Sequence, residues 1–329
     1  MRTILVALLL ISTFACAQNP NLGTAGAQFL QIGVGGKAMG MGGATAGSVG
    51  DASAVFWNPS GIARIPGQAF HFSHVTWWAT VQLNAFAYVI TIEDAGTLGL
   101  SLLSMAMDPI EVTTEQLPDG TGQTFTPNSV AVGLSYARPL TDKFSAGLTV
   151  KYVRESIWNE SCSGVAFDIG TQYELWFNKF TIGVSLTNFG GDLRMEGEDL
   201  SVKYDKDVYS PRERLVPAHL TAEEYPLPLH FQVGVSAYPY ADDAISWLVA
   251  ADVAHPNDNA ERINIGTEVG FYDRFFLRVG YRYNYDEEGL TAGSGVQLPL
   301  GSTDVVVDYA YARYTRLPPI HRFSVGLAF

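Results

Sequence analysis

Two cysteines in 329 residues, 16% charged residues, no basic surplus and no long apolar run beyond the first seventeen positions are the shortages of this chain. Each excludes a class. A disulfide-stapled scaffold needs several paired cysteines. A membrane-crossing helix needs about 20 consecutive apolar residues, so a helical membrane protein is excluded. Soluble domains usually carry about 25% charged residues, and this chain falls well short. Lysine and arginine number 20 against 33 aspartates and glutamates, a formal net charge of -13. With no basic patch, nucleic acid is not a partner.

What is present points elsewhere. Hydrophobic residues make up 47% of the chain, aromatic residues 12%, and glycine occurs 33 times. Apolar content without apolar runs has to be spread by alternation. The first residues have their own logic: Arg2, an apolar run from Ile4 to Ile11 and the small residues Ala15, Cys16 and Ala17 read as a secretory signal peptide over 1–17, cleaved before Gln18. Cys16 could carry a lipid, but Thr13 stands where such signals carry leucine. After cleavage only Cys162 remains, so no internal disulfide can form.

The alternation is explicit. Ile182, Val184 and Leu186 share one face of a strand while Thr181, Gly183, Ser185 and Thr187 share the other. Ile263, Ile265, Val269 and Phe271 likewise oppose Arg262, Asn264, Gly266, Glu268 and Gly270. Phe275, Leu277, Val279, Tyr281, Tyr283 and Tyr285 oppose Arg278, Gly280, Arg282 and Asn284. Counting such segments gives about fourteen, over 68–76, 81–92, 96–107, 128–138, 143–155, 163–175, 179–189, 229–238, 244–255, 261–272, 275–285, 289–298, 302–313 and 320–329. Most approach the 9 to 11 residues that a tilted membrane strand requires.

Loop lengths follow strand parity. Connections after even-numbered strands are turn-like, including Glu93 to Ala95, Pro139 to Asp142, Asn178 and Tyr272 to Arg274. The two long ones, Asp108 to Pro127 and Gly190 to Pro228, follow odd-numbered strands. Outer-membrane barrels have short turns on the periplasmic side and long loops outside. In hydrocarbon every backbone donor and acceptor must be paired, which strands achieve only in a closed wall. The expected fold is therefore all-β: a transmembrane antiparallel β-barrel of about 14 strands over 68–329, its apolar faces on lipid. Trp77, Trp78, Trp176, Phe177 and the ladder Tyr281, Tyr283, Tyr285 stand near strand ends, where amphipathic rings settle at the interface. Alternation alone does not separate this from an exported β-sandwich whose apolar faces turn inward.

Residues 18–67 precede the first strand and hold a glycine-rich run. It does not suit a nucleotide: Gly33-x-Gly35-Gly36 and Gly40-x-Gly42-Gly43 lack the final glycine of a dinucleotide loop, and Gly36-Lys37 is followed by Ala38 rather than serine or threonine. Small residues that let backbone approach backbone suit a plug in the lumen of a wide barrel. Asp51 starts a candidate short helix, and Asn58-Pro59 forces a turn after it.

The run from Phe29 to Ala63, with Gly40, Met41, Gly42, Gly43, Asp51, Asn58, Pro59 and Ser60 as its signature, resembles the N-terminal sequence of the PorV/PorQ family of outer-membrane proteins. That family is similar to the FadL family of hydrophobic-compound transporters. Further matching stretches run from Phe180 to Met195, Tyr225 to Tyr240 and Val305 to Phe329. FadL-like proteins usually read Asn-Pro-Ala where this chain has Asn58-Pro59-Ser60. The resemblance implies a FadL-like barrel with an N-terminal hatch in its lumen, exported to the outer membrane of a Gram-negative cell. Phe323, Val325, Leu327 and Phe329 resemble the C-terminal signal read by the outer-membrane assembly machinery.

Chemistry-bearing residues do not assemble into a catalytic set. His71 and His74 fall on opposite strand faces, and the other histidines are scattered, so no metal or other cofactor is expected. No nucleophile is positioned by a base, so an enzyme is not expected. Arg262, Glu268, Arg278, Arg282, Asp304, Asp308 and Arg322 fall on the inward parity. They form either a constriction that screens a permeant or a charge network that holds the hatch. The loop over 190–228 carries Arg194, Glu196, Glu198, Asp199, Lys203, Asp205 and Lys206, suited to a partner or to solvation alone.

Two functions follow from the resemblance. One is type IX secretion, the barrel receiving exported cargo proteins at the cell surface alongside other secretion components. The other is passive uptake of a hydrophobic ligand through the lumen.

Overall fold

The structure, a computed structural model, describes residues 21–175, 179–205 and 215–329. The expected signal peptide, the expected interfacial residues Trp176 and Phe177, the Asn178 turn and Lys206 lie outside the described residues.

Fourteen long strands form the wall: β1 Gln68–Thr76, β2 Gln82–Ile92, β3 Gly96–Ala106, β4 Asn128–Pro139, β5 Phe144–Ile157, β6 Glu160–Glu174, β7 Thr181–Gly190, β8 His230–Ala241, β9 Ile245–Pro256, β10 Arg262–Phe271, β11 Phe275–Tyr283, β12 Glu288–Leu300, β13 Thr303–Tyr314 and β14 Ile320–Ala328. Each pairs antiparallel with the next, and β14 returns to β1 with Val325 opposite Phe72. The wall is closed and has no free edge. Even the junction of β6 and β7 is paired, with one register shift between Phe167 and Ile169.

Side-chain direction follows the alternation. Along β11, Phe275, Leu277, Val279, Tyr281 and Tyr283 are exposed, and Arg278, Gly280 and Arg282 are buried. Leu134 is 61% exposed and Leu277 59%, whereas Ser135 and Thr149 are fully buried and bonded to each other at 2.7 Å. Water-soluble monomers rarely expose apolar patches beyond a few hundred Å². A continuous apolar exterior around a polar interior is the inverse of a soluble barrel, and it fits lipid outside.

Two aromatic expectations are corrected. Tyr285 does not continue the outer ladder: Asn284 takes a left-handed backbone (φ 63°), β11 stops at Tyr283, and the Tyr285 ring lies inside under Arg262 and Arg282. Trp77 and Trp78 also turn into the barrel mouth instead of lying at the lipid interface, packing edge to face with each other and with Tyr314.

The connections at one end are short, including Glu93 to Ala95 and the paired left-handed residues Tyr272 and Asp273. At the other end two long loops fold on themselves. Residues 110–111 pair with 124–125, and residues 201–205 pair with 215–219. Leu193 and Leu227, from the second loop, are buried against the upper lumen.

Residues 21–67 run through the lumen from the loop end to the turn end. Near the loops, the Gly23 N–H donates to the Asp258 carbonyl at 3.1 Å and the Gly26 N–H to Pro226 at 3.0 Å. At the far end, Thr91 N–H donates to the Gly67 carbonyl and Gln68 pairs with Phe329. In between lie a first 3-10 turn Gln28–Gln31, a helical turn Gly36–Gly40 and two further 3-10 turns, Ala52–Phe56 and Pro59–Arg64. Asp51 caps the Ala52–Phe56 turn through the Ser53 N–H, and Asn58 caps the Pro59–Arg64 turn through the Ser60 N–H. Proline just inside that last turn supplies no donor where none is needed. Val49, Val55, Ile62 and Ile65 bury against Ala69, Val89 and Ala137 of the wall.

Candidate functional site in the lumen

The lumen divides into a filled lower part and a cavity beneath the loop end. In the lower part the wall supplies the acceptors that the hatch lacks. Asp252, on β9, accepts from the Thr45 N–H at 2.6 Å, the Ala46 N–H at 2.8 Å and the Gln232 amide at 2.5 Å. A carboxylate answering two successive backbone donors is a small anion nest, built here from wall to hatch. Asn58 is fully buried and joins three elements: its amide donates to Ala46 and Thr171 carbonyls at 2.8 and 3.2 Å, and its oxygen accepts from Ser60 Oγ at 2.7 Å.

Backbone meets backbone along β10 to β12. A Cβ placed on Gly280 would stand 2.2 Å from the Gly42 nitrogen, and one on Gly266 2.3 Å from the Met41 carbonyl oxygen. Gly42 itself has φ +70°, open to glycine at little cost. Gly40 contacts Gly293 in the same way, and Gly43 gives its carbonyl to Gln232 and Asn264.

The seven inward charges do not form one network. Arg278 is the centre of a buried group, donating to Glu268 at 2.5 Å and to Asp308 at 2.6 Å. Arg282 lies nearer the loops, paired with Glu288 and donating to the Gly42 carbonyl at 3.1 Å. Arg262 and Arg322 also lie toward the loop end, and among the described residues neither forms a salt bridge. Asp304 is half-buried at the turn end of β13, apart from the other six. Inward parity marked the face of these residues but not their height.

Three participants, Lys37, Lys151 and Asp168, escaped the sequence reading, and Asp51 takes a charge role beyond the cap expected of it. Lys37 stands in the hatch facing Glu268 and Asp51; the Glu268 carboxylate raises its pKa, burial opposes this, and Asp51 adds to the rise, so the net shift is upward. Burial pushes the Asp51 carboxyl up, but Lys37, His71 and the Ser53 donors together hold it below the ordinary carboxylate range. Lys151 pairs with Asp168 at 2.8 Å across the β5–β6 ladder. Strand parity was available for Lys151 and Asp168, but the register that brings them together was not; for Lys37 the path of the hatch past Glu268 was not.

The cavity, of about 340 Å³, is lined by the apolar and aromatic Phe56, Trp57, Trp77, Trp78 and Leu103 together with Arg262, Arg282, Tyr285, Asp286 and Glu288. Among the described residues there is no cluster of side chains able to hold a metal ion. At the end of β14, Phe323 and Phe329 are exposed outside, with the Phe329 ring 5.9 Å from Phe70 of β1.

A closed wall of fourteen antiparallel strands, apolar outside and occupied within by its own N-terminal segment, defines a FadL-like outer-membrane β-barrel. Residues 15–174, just under half of the chain, match the model of the family described as type IX secretion system protein PorV. That range takes in the whole hatch and the first six strands. No curated protein matches the chain. Solved structures with the same fold include the Pseudomonas putida toluene transporter TodX (TM-score 0.57, 12% identity, covering 89% of this chain and 97% of that one). The Ralstonia pickettii toluene transporter TbuX is similar at TM-score 0.55 and 13% identity, over 90% of this chain and 97% of its own. A Pseudomonas aeruginosa FadL homologue aligns over 96% of this chain and 99% of its own, at TM-score 0.51 and 12% identity. At such identities the likeness concerns the fold.

Proposed function

We propose that the protein is a PorV-type component of type IX secretion, receiving exported cargo proteins at the outer face of the outer membrane. The match of residues 15–174 to the PorV family carries this reading. A lumen crossed by residues 21–67 and bonded to them along its length supports a docking role over a standing open pore. The long loops over 107–127 and 191–229 supply surface for secretion components and cargo. The C-terminal residues Phe323, Val325, Leu327 and Phe329 serve the assembly machinery that inserts the barrel, and the expected signal peptide brings the chain to it.

The test is deletion of the gene in its native host, with cargo counted in medium, cell surface and periplasm. Cargo stranded in the periplasm, restored by the intact gene, is the expected result. Unchanged secretion with impaired uptake of an apolar compound overturns it. That second outcome is what FadL-like passage of hydrophobic small molecules predicts, a reading favoured by the aromatic cavity in a fold shared with a toluene transporter.

A further inference from the structure

The wall sorts its charges by direction. Among the aspartates and glutamates of the fourteen strands none is exposed; Asp168, Asp252, Glu268 and Asp308 are buried and the others half-buried. Arg138, Arg154 and Arg313, by contrast, are exposed on the outer face. A chain with a formal charge of -13 thus turns no strand carboxylate toward lipid. Arg138 lies at the turn end of β4, and Arg154 and Arg313 lie at the loop end of β5 and β13.

Arg313 stands beside further donors. Below it on the same face, Tyr311 pairs in register with His321 of β14, and the two rings meet edge to face at 5.7 Å. The Tyr309 hydroxyl lies 2.7 Å from His321 Nδ1. A hydroxyl that donates there leaves the ring proton on Nε2, and His321 is exposed. Diagonal neighbours across a strand pair are about 7–8 Å apart, within reach of a long side chain, so Arg313 and His321 can close on one group. The other outward histidines are answered: His74 bonds Asn84 and Thr76 at 2.8 and 3.4 Å, and His255 lies 3.3 Å from Glu261. Among the described residues Arg313 forms no salt bridge. Arg154 is poorer in donors, with Val130 and Ser163 opposite it.

Height decides what the pair meets. From Thr303 to Arg313 the strand climbs about 25 Å along the barrel axis, at about 3.3 Å per residue and a tilt of about 40°. An outer-membrane barrel has an apolar band about 25 Å tall, so Arg313 stands at its upper border, where lipid headgroups begin. Beneath it Val307, Val325 and Phe72 lie side by side in register and are 38–48% exposed, a strip along which an acyl chain can lie. The loop over 107–127 repels an anion instead: it carries Asp108, Glu111, Glu115 and Asp119 and no lysine or arginine.

We propose that Arg313 and His321 bind a phosphate of an outer-leaflet lipid whose acyl chains lie along Val307, Val325 and Phe72. The planar guanidinium gives two parallel hydrogen bonds to phosphate oxygens, and His321 Nε2–H gives a third. Inorganic phosphate meets the same donors but gains nothing from the apolar strip, so a lipid is the occupant. The site lies outside the wall and stands whether the barrel serves secretion or uptake.

The experiment uses the purified, delipidated full-length protein in detergent. Native mass spectrometry counts retained lipid, and the temperature at which the folded band is lost on unboiled gels gives a second reading. The probes are lipid A with its phosphates, the same lipid dephosphorylated, and inorganic phosphate. The phosphorylated lipid should be retained more strongly than the dephosphorylated one. Arg313→Gln should lower that preference about fivefold, the effect of one arginine at a charged lipid surface. Arg138→Gln, which removes an outward arginine at the opposite end, should leave it unchanged. If Arg313→Gln gives no folded band, Arg313→Lys, which keeps the charge and loses the fork, should lower the preference about twofold. Equal retention of both lipids, a preference untouched at Arg313, or equal losses in the Arg313 and Arg138 variants overturns the proposal. Displacement of the lipid by an equal concentration of inorganic phosphate overturns the lipid as occupant. Retention is read on the isolated protein, so its failure leaves the secretion test untouched.

Discussion

The lower and upper halves of the lumen are built from the same kinds of residue and treat them differently. Below, every charge in the Arg278 group is answered within about 2.6 Å, and the hatch gives its backbone donors to Asp252. Above, the wall opens onto a cavity of about 340 Å³ lined by both signs, Lys151, Arg262 and Arg282 with Asp286, Glu287 and Glu288. A buried charge weakens the fold unless a partner repays its desolvation, and the lower half pairs its charges directly. The contrast gives a lower half closed by paired charge and backbone contact and an upper half left open.

That division can be broken by substitution. Glu268→Ala strands Arg278 beside Asp308 and should cost about 3–5 kcal/mol, read as a lower temperature for loss of the folded band on gels. Replacing Glu268, Arg278 and Asp308 together by leucine should recover most of that loss, since no charge is then left alone. Asn58→Ala removes the amide donor to the Ala46 and Thr171 carbonyls, of which Ala46 keeps only the Gln172 amide, and the acceptor of both Ser60 donors. It should cost about 1–3 kcal/mol and make residues 44–60 open to protease while the wall persists.

Gly280→Val is a favourable strand substitution on propensity alone, yet its Cβ would meet Gly42. It should destabilise by about 1–3 kcal/mol, with a Gly42-to-wall distance label showing the hatch displaced. Acid sharpens the same comparison. The folded Asp51 carboxyl lies below its ordinary value of 3.8, so its stabilisation is complete above that value and is lost as pH falls through the folded pKa. Melting followed from pH 6 to pH 3 should show an acid loss that Asp51→Asn reduces. Asp304→Asn, remote from both halves, should change stability by no more than about 0.5 kcal/mol.

Much of the wall was legible in the sequence, because a period of two residues fixes which face meets lipid at Leu277 as surely as at Ile182. The limits of legibility are equally local. One left-handed residue, Asn284, ends the alternation and swings Tyr285 from outside to inside. Trp77 and Trp78 sit just past a strand end, where parity no longer dictates direction. Parity also places Arg262, Arg278 and Arg322 on one face without saying how strand tilt distributes them along the barrel axis, so the separation into two groups was not readable. The glycine-rich run pointed to close packing, but its partners Gly266, Gly280 and Gly293 lie more than 200 positions away.

The meeting of Gly42 with Gly280 has a consequence for evolution. Neither position can acquire a side chain unless the opposing chain retreats, so the two are tied together as a lock is to its key. In any relative, a bulky residue at the site equivalent to Gly280 announces a differently routed interior segment before a coordinate is determined, and glycine at both sites announces this one.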